Sequence, residues 1–254
     1  RINEQISTRR LRIVKYRGSL HGTNEYPFLI EQDGISILPV TSFALQHRVS
    51  SRRVSSGIEG LDAMLDGGYY QGSTIMVSGT AGTGKTSVAA SFADAVCRRE
   101  EKCLYLAFEE SEHQILRNMG VIGLELQPYI SRGLLRFHAA RPSAFGMEMH
   151  LMRIQRLMDE FKPDAVIMDP MSNMTNIGTS GEASSMLNRL IDTVKGRGIT
   201  GLFSNLTHLE SGETIEIHIS SLIDTWVLLR TVEINGERER TIHILKSRGM
   251  AHSH

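Results

Sequence analysis

The octapeptide GTAGTGKT at residues 79–86 limits what this chain can become more than any other stretch of it. It fits the pattern G-x-x-x-x-G-K-[ST]. It also follows an apolar run, TIMVS (74–78), and opens a segment with a helical apolar stripe and a basic end, KTSVAASFADAVCRRE (85–100). Strand, glycine-rich turn and helix are the context in which this pattern forms a phosphate cradle. The backbone N–H groups of Gly82, Thr83 and Gly84 would then face a β-phosphate, helped by the helix N-terminus. Lys85 would reach the β- and γ-phosphates, and the Thr86 hydroxyl would hold Mg²⁺. Gly79, Ala81 and Ser87 complete the set expected to touch the nucleotide, which is read as ATP with Mg²⁺.

Strands and helices alternate after the cradle. CLYLAF (103–108), DAVIMD (164–169) and TGLFSN (200–205) read as buried strands, and SAFGMEMHLMRIQRLMDEF (143–161) and ASSMLNRLIDTVKGRG (183–198) as helices. DTWVLLRTVEINGERERTIHIL reads as two final strands around Asn235-Gly236, a type I′ hairpin signal. This order predicts an α/β domain with a mostly parallel central sheet flanked by helices and an antiparallel hairpin at one edge. The methionines of 147–158 read as core filler.

Two acidic positions bear on the phosphate chemistry. Asp169 ends a hydrophobic strand some 80 residues after the loop, where a carboxylate can polarise a metal-bound water. Glu109 and Glu110, in FEES (108–111), cannot both point the same way along a strand. Glu109 is assigned as general base and metal neighbour and Glu110 as its support. A solvated acidic turn is the competing reading of that pair.

Composition narrows the function classes. Lys plus Arg and Asp plus Glu number 28 each, so no global basic field would draw nucleic acid or an anionic membrane. No apolar run approaches the ~18 residues of a spanning helix, and the N-terminus has no signal-peptide character. Cys97 and Cys103 are the only cysteines and have neither metal-ligand nor disulfide-scaffold spacing. A soluble, reduced, cytoplasmic protein is the expectation.

Residues 1–46 read as a separate piece, with LRIVKY as one strand and NEYPFLIEQDGISILPV as two more around EQDG; the polar QHRVSSRRVSSG (46–57) reads as a linker. A phrase recurs across the chain. RRLRIVKYRGSLH (9–21) aligned on RTIHILKSRGMAH (240–252) gives identity at six of 13 positions, where composition alone predicts about one. The offset, 246 − 15 = 231 residues, sets the two copies one long unit apart. The chain is therefore read as the tail of one repeat (1–46) followed by a second repeat (47–254) without its closing hairpin, cut from a longer tandem protein. Lys-x-Arg on a strand puts both cations on one face. Such cations delivered from a neighbour neutralise charge developing on a γ-phosphate. Lys246 and Arg248, with Ser247, Arg240 and His252 near the nucleotide, are the candidates. A basic edge strand that resists aggregation is the bland alternative.

RVSSGIEGLDAMLDGGYYQGS, GTAGTGKT, FEES, LLRFHAARP, ITGLFSN and IHISSLIDTWVLLR together resemble the KaiC family of RecA-like ATPases, over essentially the whole chain and best in its second, kinase-bearing half. The resemblance implies a homo-hexameric ring with ATP between subunits, regulatory clock-type or signalling partners, and autophosphorylation at Ser220 and Ser221. The donor would be a neighbour's ATP, with Glu109, Lys85 and Thr86 serving the transfer. Without the family, two adjacent serines before a strand are ordinary loop residues. The pattern departs from the family's clock autokinase in three places: a Ser-Ser pair replaces Ser-Thr, Ile215 beside Thr214 stands where a threonine assists transfer, and Pro170 follows Asp169. A RecA-like ATPase acting on nucleic acid and a nucleotide-gated scaffold without kinase activity are the competing functions. The loop NMTNIGTSGEAS (173–184) lacks the Arg and aromatics that the first would need.

Overall fold

The computed structural model describes residues 9–18, 25–31, 34–37, 50–144, 146–176, 180–207, 221–234 and 236–249. Its centre is a seven-stranded sheet. In chain order the strands are β6 (Thr74–Gly79), β7 (Cys103–Ala107), β8 (Leu135–Ala139), β9 (Ala165–Asp169), β10 (Thr200–Leu206), β11 (Thr225–Ile234) and β12 (Glu237–Ser247). The spatial order is β12-β11-β6-β10-β9-β7-β8, with every pair parallel except β11–β12. The strand that leads into the cradle thus lies inside the sheet, and β6, β7 and β9 are buried at every residue, as parallel strands covered on both faces must be. The antiparallel edge hairpin read from the sequence is β11–β12; Asn235 of its turn lies outside the described residues, and Gly236 has φ 82°.

Two smaller sheets precede it. β1 (Arg10–Arg12), β2 (Glu25–Glu31) and β3 (Gly34–Ile37) form an antiparallel meander, the three short strands expected of the N-terminal piece. β4 (Arg53–Val54) pairs with β5 (Tyr69–Tyr70) on either side of α1 (Glu59–Met64).

The remaining helices are α2 (Lys85–Arg98), α3 (Glu112–Val121), α4 (Gln127–Ser131), α5 (Met147–Phe161) and α6 (Ser180–Gly196). α2 begins where predicted, but it shows no one-sided stripe: Val88 through Cys97 are all buried. It packs on the sheet and is covered by the segment that carries α1 and β5, where Gly57 meets Ser91 and the Tyr69 ring meets Phe92 edge-on at 5.6 Å, and its alanines allow that close packing. Its one buried charge, Asp94, is met by the Tyr129 hydroxyl at 3.0 Å and Arg98 at 2.9 Å. Neither α3 nor α4 was assigned from the sequence. The signal for α3 was a capping box, Ser111 accepting from the Gln114 amide while Gln114 accepts from the Ser111 amide.

The two faces of the sheet differ in composition. The α2 face packs Ile75, Val77, Tyr105, Ile167, Leu202, Val227 and Leu229 against Ala, Val and Phe of the helix. The α5/α6 face buries Met76, Met147, Met158, Met168, Met171, Met174 and Met186, whereas Met119 is the one buried methionine of the other cluster. Met147 and Met158 of α5 are therefore core residues, as read; Met152 is partly buried against them, and Met149 is half-buried outside both clusters.

Candidate functional site

The cradle forms at the carboxyl end of β6. Gly79 is required by close approach: a Cβ there would lie 2.6 Å from both the Leu229 carbonyl oxygen and Thr83 Oγ1. Gly84 is required by backbone shape, since it caps α2 in the left-handed region at φ 101°. The turn between them is held by Thr83, whose hydroxyl donates to the Thr80 carbonyl at 2.8 Å. Ala81 and Gly82 are exposed at its rim, and Thr86 and Ser87 are half-buried in the first turn of α2. Lys85 Nζ donates to the Gly79 and Thr80 carbonyls at 2.9 and 2.7 Å. Burial pushes its ammonium below the ordinary value, and the nearby carboxylates of Asp169 and Glu109 pull it back up. The loop lysine and both predicted acidic residues therefore share one electrostatic site.

Asp169 is buried at the end of β9, and its carboxylate is engaged on both sides. Tyr105 donates to Oδ2 at 2.7 Å, and Ser204 donates to Oδ1. Burial, and then Asp169 itself, holds the Tyr105 hydroxyl well above its ordinary value, so it stays protonated and donates. The sequence reading passed over both residues. The available signal was a tyrosine within a fully buried strand, whose hydroxyl must find a partner. The Asp169–Pro170 peptide is cis.

The glutamates lie differently from expectation. β7 ends at Ala107, so Glu109 and Glu110 sit in a bend beyond the strand, and alternation along a strand does not govern them. They still diverge. Glu109 is exposed beside the cradle, whereas Glu110 accepts from Asn118 Nδ2 at 2.9 Å and is tied to α3. Among the described residues no group of three or more His, Cys, Asp or Glu side chains converges as a metal cage. Mg²⁺ characteristically takes one or two protein oxygens and completes its shell with phosphate and water. The Thr86 hydroxyl and the Asp169 and Glu109 carboxylates are that kind of donor set, so the residues present fit the ion.

A second cluster forms at the opposite end of β6. The Asp224 carboxylate accepts from the Thr74 amide and hydroxyl at 2.9 and 3.0 Å and pairs with Lys195 at 2.9 Å and Arg248 at 3.5 Å. Arg248 Nη2 donates to the Ser221 carbonyl at 2.6 Å, and Lys195 Nζ to the Leu222 carbonyl at 2.6 Å. Asp224, Lys195 and Arg248 border a cavity of about 440 Å³ that also meets Tyr70 and Ser73. Lys246 belongs here too, its ammonium lowered first by burial and then by the Arg248 charge. Ser220, His252, Thr214 and Ile215 lie outside the described residues, while Ser221 is exposed beside Arg248.

Lys246 at the end of β12 and Arg248 in the turn just after it both meet the Asp224 cluster, but Arg240 does not share that side. The β11–β12 register slips between Trp226 and Val227, leaving Leu245 without a partner opposite. Ile242 and Ile244 pack toward α2, and Arg240, two residues before Ile242 in unbroken register, is on that same face. Beyond the slip, Lys246 is paired with Trp226, which packs on the α5/α6 side. The bulge thus re-aims the end of the strand. Arg240 and Lys246 stand about 20 Å apart along it.

Asp224 gives a pH prediction. Burial alone would raise its carboxyl, but the Thr74 hydrogen bonds and Lys195 outweigh that and hold it below its ordinary value. A depressed acid stabilises the fold above its unfolded pKa of about 3.9, and that stabilisation is lost as pH falls through the folded value. Asp224→Asn is expected to cost about 1–3 kcal/mol at neutral pH. Urea midpoints of variant and parent should converge as the pH falls below about 3.9.

The family model described as "ATPase: KaiC" matches residues 54–254. The chain belongs to the KaiC ATPase family. It is 52% identical over 254 residues to the circadian clock protein KaiC2 of Synechocystis sp., covering 98% of this chain and 45% of that protein. It is 39% identical over 246 residues to the circadian clock oscillator protein KaiC of Parathermosynechococcus lividus (96% and 46% covered) and 37% identical over 246 residues to that of Picosynechococcus sp. (96% and 48%). It spans about half the length of these KaiC relatives. A P-loop of KaiC type on a RecA-like sheet accounts for the cradle, and among the described residues no helix is long and apolar enough to cross a membrane.

Proposed function

We propose that this KaiC-family ATPase domain is a serine autokinase that works between copies of itself, as a homo-hexameric ring with Mg-ATP at each subunit interface. The observation that carries the reading is the separation of its two clusters. Lys85, Asp169 and Glu109 lie at the carboxyl end of β6, and Ser221, Lys246 and Arg248 at its amino end, about 17 Å away along the strand. A hydroxyl nucleophile must come within about 3–3.5 Å of the phosphorus it attacks. A chain in this conformation cannot bring its own Ser221 to its own cradle, whereas a neighbour packed head to tail can.

In that arrangement Lys85 and the loop amides would bind the β- and γ-phosphates, and Thr86, Asp169 and Glu109 would hold Mg²⁺. Glu109 would take the serine proton as the serine oxygen bonds to the γ-phosphorus and the bond to the ADP oxygen breaks, with ADP leaving. The neighbour supplies Ser220 and Ser221 as acceptors and Lys246 and Arg248 as the cations facing the γ-phosphate. Arg240, Ser247 and His252 belong to the same proposed nucleotide contact, although Arg240 stands on the other face of β12 from Lys246 and His252 lies outside the described residues. Residues 1–46 are the tail of a preceding repeat. The reading is supported by the relatives' doubled length and by the repeated phrase, which forms strand in both copies, at β1 and at β12. The relatives' circadian names suggest clock-type regulatory proteins as partners.

Incubation with Mg-ATP followed by intact-mass and phosphopeptide analysis tests this. Phosphate is expected on Ser220 or Ser221, and Glu109→Gln is expected to slow its appearance about 10²- to 10⁴-fold with nucleotide still bound. An unmodified chain carrying bound nucleotide in an assembled ring would overturn the kinase reading.

A further inference from the structure

Asp169 is buried beside the cradle, where its carboxylate would meet a phosphate-bound metal with only the lone pairs left free by its protein partners. A carboxylate in that position can rotate, tilt or pair with Lys85, and each alternative takes its oxygen away from the ion. The structure closes off those alternatives with two neutral hydroxyls from the two strands that flank β9.

Their placement follows from the register. Tyr105 on β7 lies opposite Ile167, two residues before Asp169, and on the same face. Two residues of strand cover about 6.6 Å, roughly the reach of a tyrosine side chain, so the hydroxyl arrives level with the carboxylate and donates to Oδ2 at 2.7 Å. On the other flank Leu202 lies opposite Ile167, which puts Ser204 level with Asp169 on that same face, where it donates to Oδ1. The Tyr105 ring is fixed in turn by Phe137, with centroids 4.9 Å apart. Tyr105 and Ser204 are both fully buried, so no solvent competes for either bond.

We propose that Tyr105 and Ser204 are positioning residues that clamp the Asp169 carboxylate from both sides and so fix the metal-facing geometry of the nucleotide site. The inference rests on the reading of Asp169 as a metal-holding residue. The metal supplies charge neutralisation at the phosphates when bound; the two hydroxyls fix where Asp169 presents its remaining lone pairs. Partners of this kind behind a metal ligand characteristically set affinity by about 10- to 100-fold.

The test uses Mn²⁺ as the probe, titrated by electron paramagnetic resonance against the ADP-loaded protein, alongside ADP affinity in chelator. Tyr105→Phe removes one oxygen and keeps the ring. It is expected to raise the half-saturating Mn²⁺ about 10- to 100-fold, with metal-free ADP affinity unchanged. Ser204→Ala is expected to raise it as well, and provides the measurement should Tyr105→Phe fail to fold. Asp169→Asn serves as the reference. If it weakens Mn²⁺ binding while neither hydroxyl deletion does, the clamp is wrong and Asp169 keeps its metal role. If Asp169→Asn leaves Mn²⁺ binding unchanged, the metal role itself falls, and the clamp with it. A folded Tyr105→Phe protein with a lower melting temperature but an unshifted Mn²⁺ titration would show that the tyrosine only packs.

Discussion

Lys85→Ala is expected to reduce ATP hydrolysis by about 10²- to 10³-fold and to weaken nucleotide binding in the same direction. The side chain is poised at the mouth of the turn, donating to the Gly79 and Thr80 carbonyls. Those bonds are local and neutral on the acceptor side, so a triphosphate offers the ammonium a stronger partner and displaces them. The cation is also partly desolvated, which strengthens its interaction with a phosphate relative to a fully hydrated lysine. Little of the fold depends on it, because α2 is anchored by Val88 through Cys97. Nucleotide affinity and hydrolysis should therefore fall without a matching loss of thermal stability. Hydrolysis within threefold of the parent would mean that the cradle is not where the nucleotide reacts.

The second large effect concerns which chain receives the phosphate. Two variants are mixed: Lys85→Ala, with intact acceptor serines, and a Ser220→Ala/Ser221→Ala double variant with an intact cradle. Neither is expected to become labelled alone, the first because it cannot present ATP and the second because it has no acceptor. In mixed assemblies the Lys85→Ala chain should become labelled while the double variant stays unlabelled, as read by mass after separation on distinct tags. Label would go from undetectable to a substantial fraction of the parent's. The geometry behind this is the length of β6, with Thr74 bonded to Asp224 at one end and Gly79 opening the cradle at the other. Absence of label in mixtures that have demonstrably exchanged subunits would require the acceptor loop to fold back onto its own nucleotide.

Much of this was legible in the sequence because it is local. The cradle is eight consecutive residues with a strand before and a helix after, and β9, β10 and the β11–β12 hairpin carry their own apolar runs and turn signal. What was not legible depends on alignment across strands. Tyr105 and Ser204 are 64 and 35 residues from Asp169, and only the order β10-β9-β7 makes them its neighbours. Lys246 and Arg248 both reach the Asp224 cluster, but not by alternation along a strand, because β12 ends at Ser247 and Arg248 stands in the turn beyond it. Alternation alone would have put Arg240 with Lys246, and a single unpaired residue, Leu245, breaks the phase between them. α3 was passed over because its signal is a cap, Ser111 with Gln114, and not a long apolar stripe. The period-two argument for Glu109 and Glu110 assumed a strand that ends at Ala107, although the two side chains diverge for another reason, the hold of Asn118 on Glu110.

The unequal distribution of methionine has a mechanical consequence. On the α2 side, branched and aromatic side chains in few rotamers meet a helix buried all round, so that layer transmits displacement with little give. On the α5/α6 side, seven thioethers with freely turning stems can repack around a shifted neighbour at low cost. The sheet is therefore stiff on the face that bears the cradle and compliant on the face behind it. Relative movement of helices during a catalytic cycle would be absorbed by α5 and α6 sliding over that compliant layer. Oxidation of those same sulfurs would stiffen or swell the sliding face while leaving the cradle's own packing untouched.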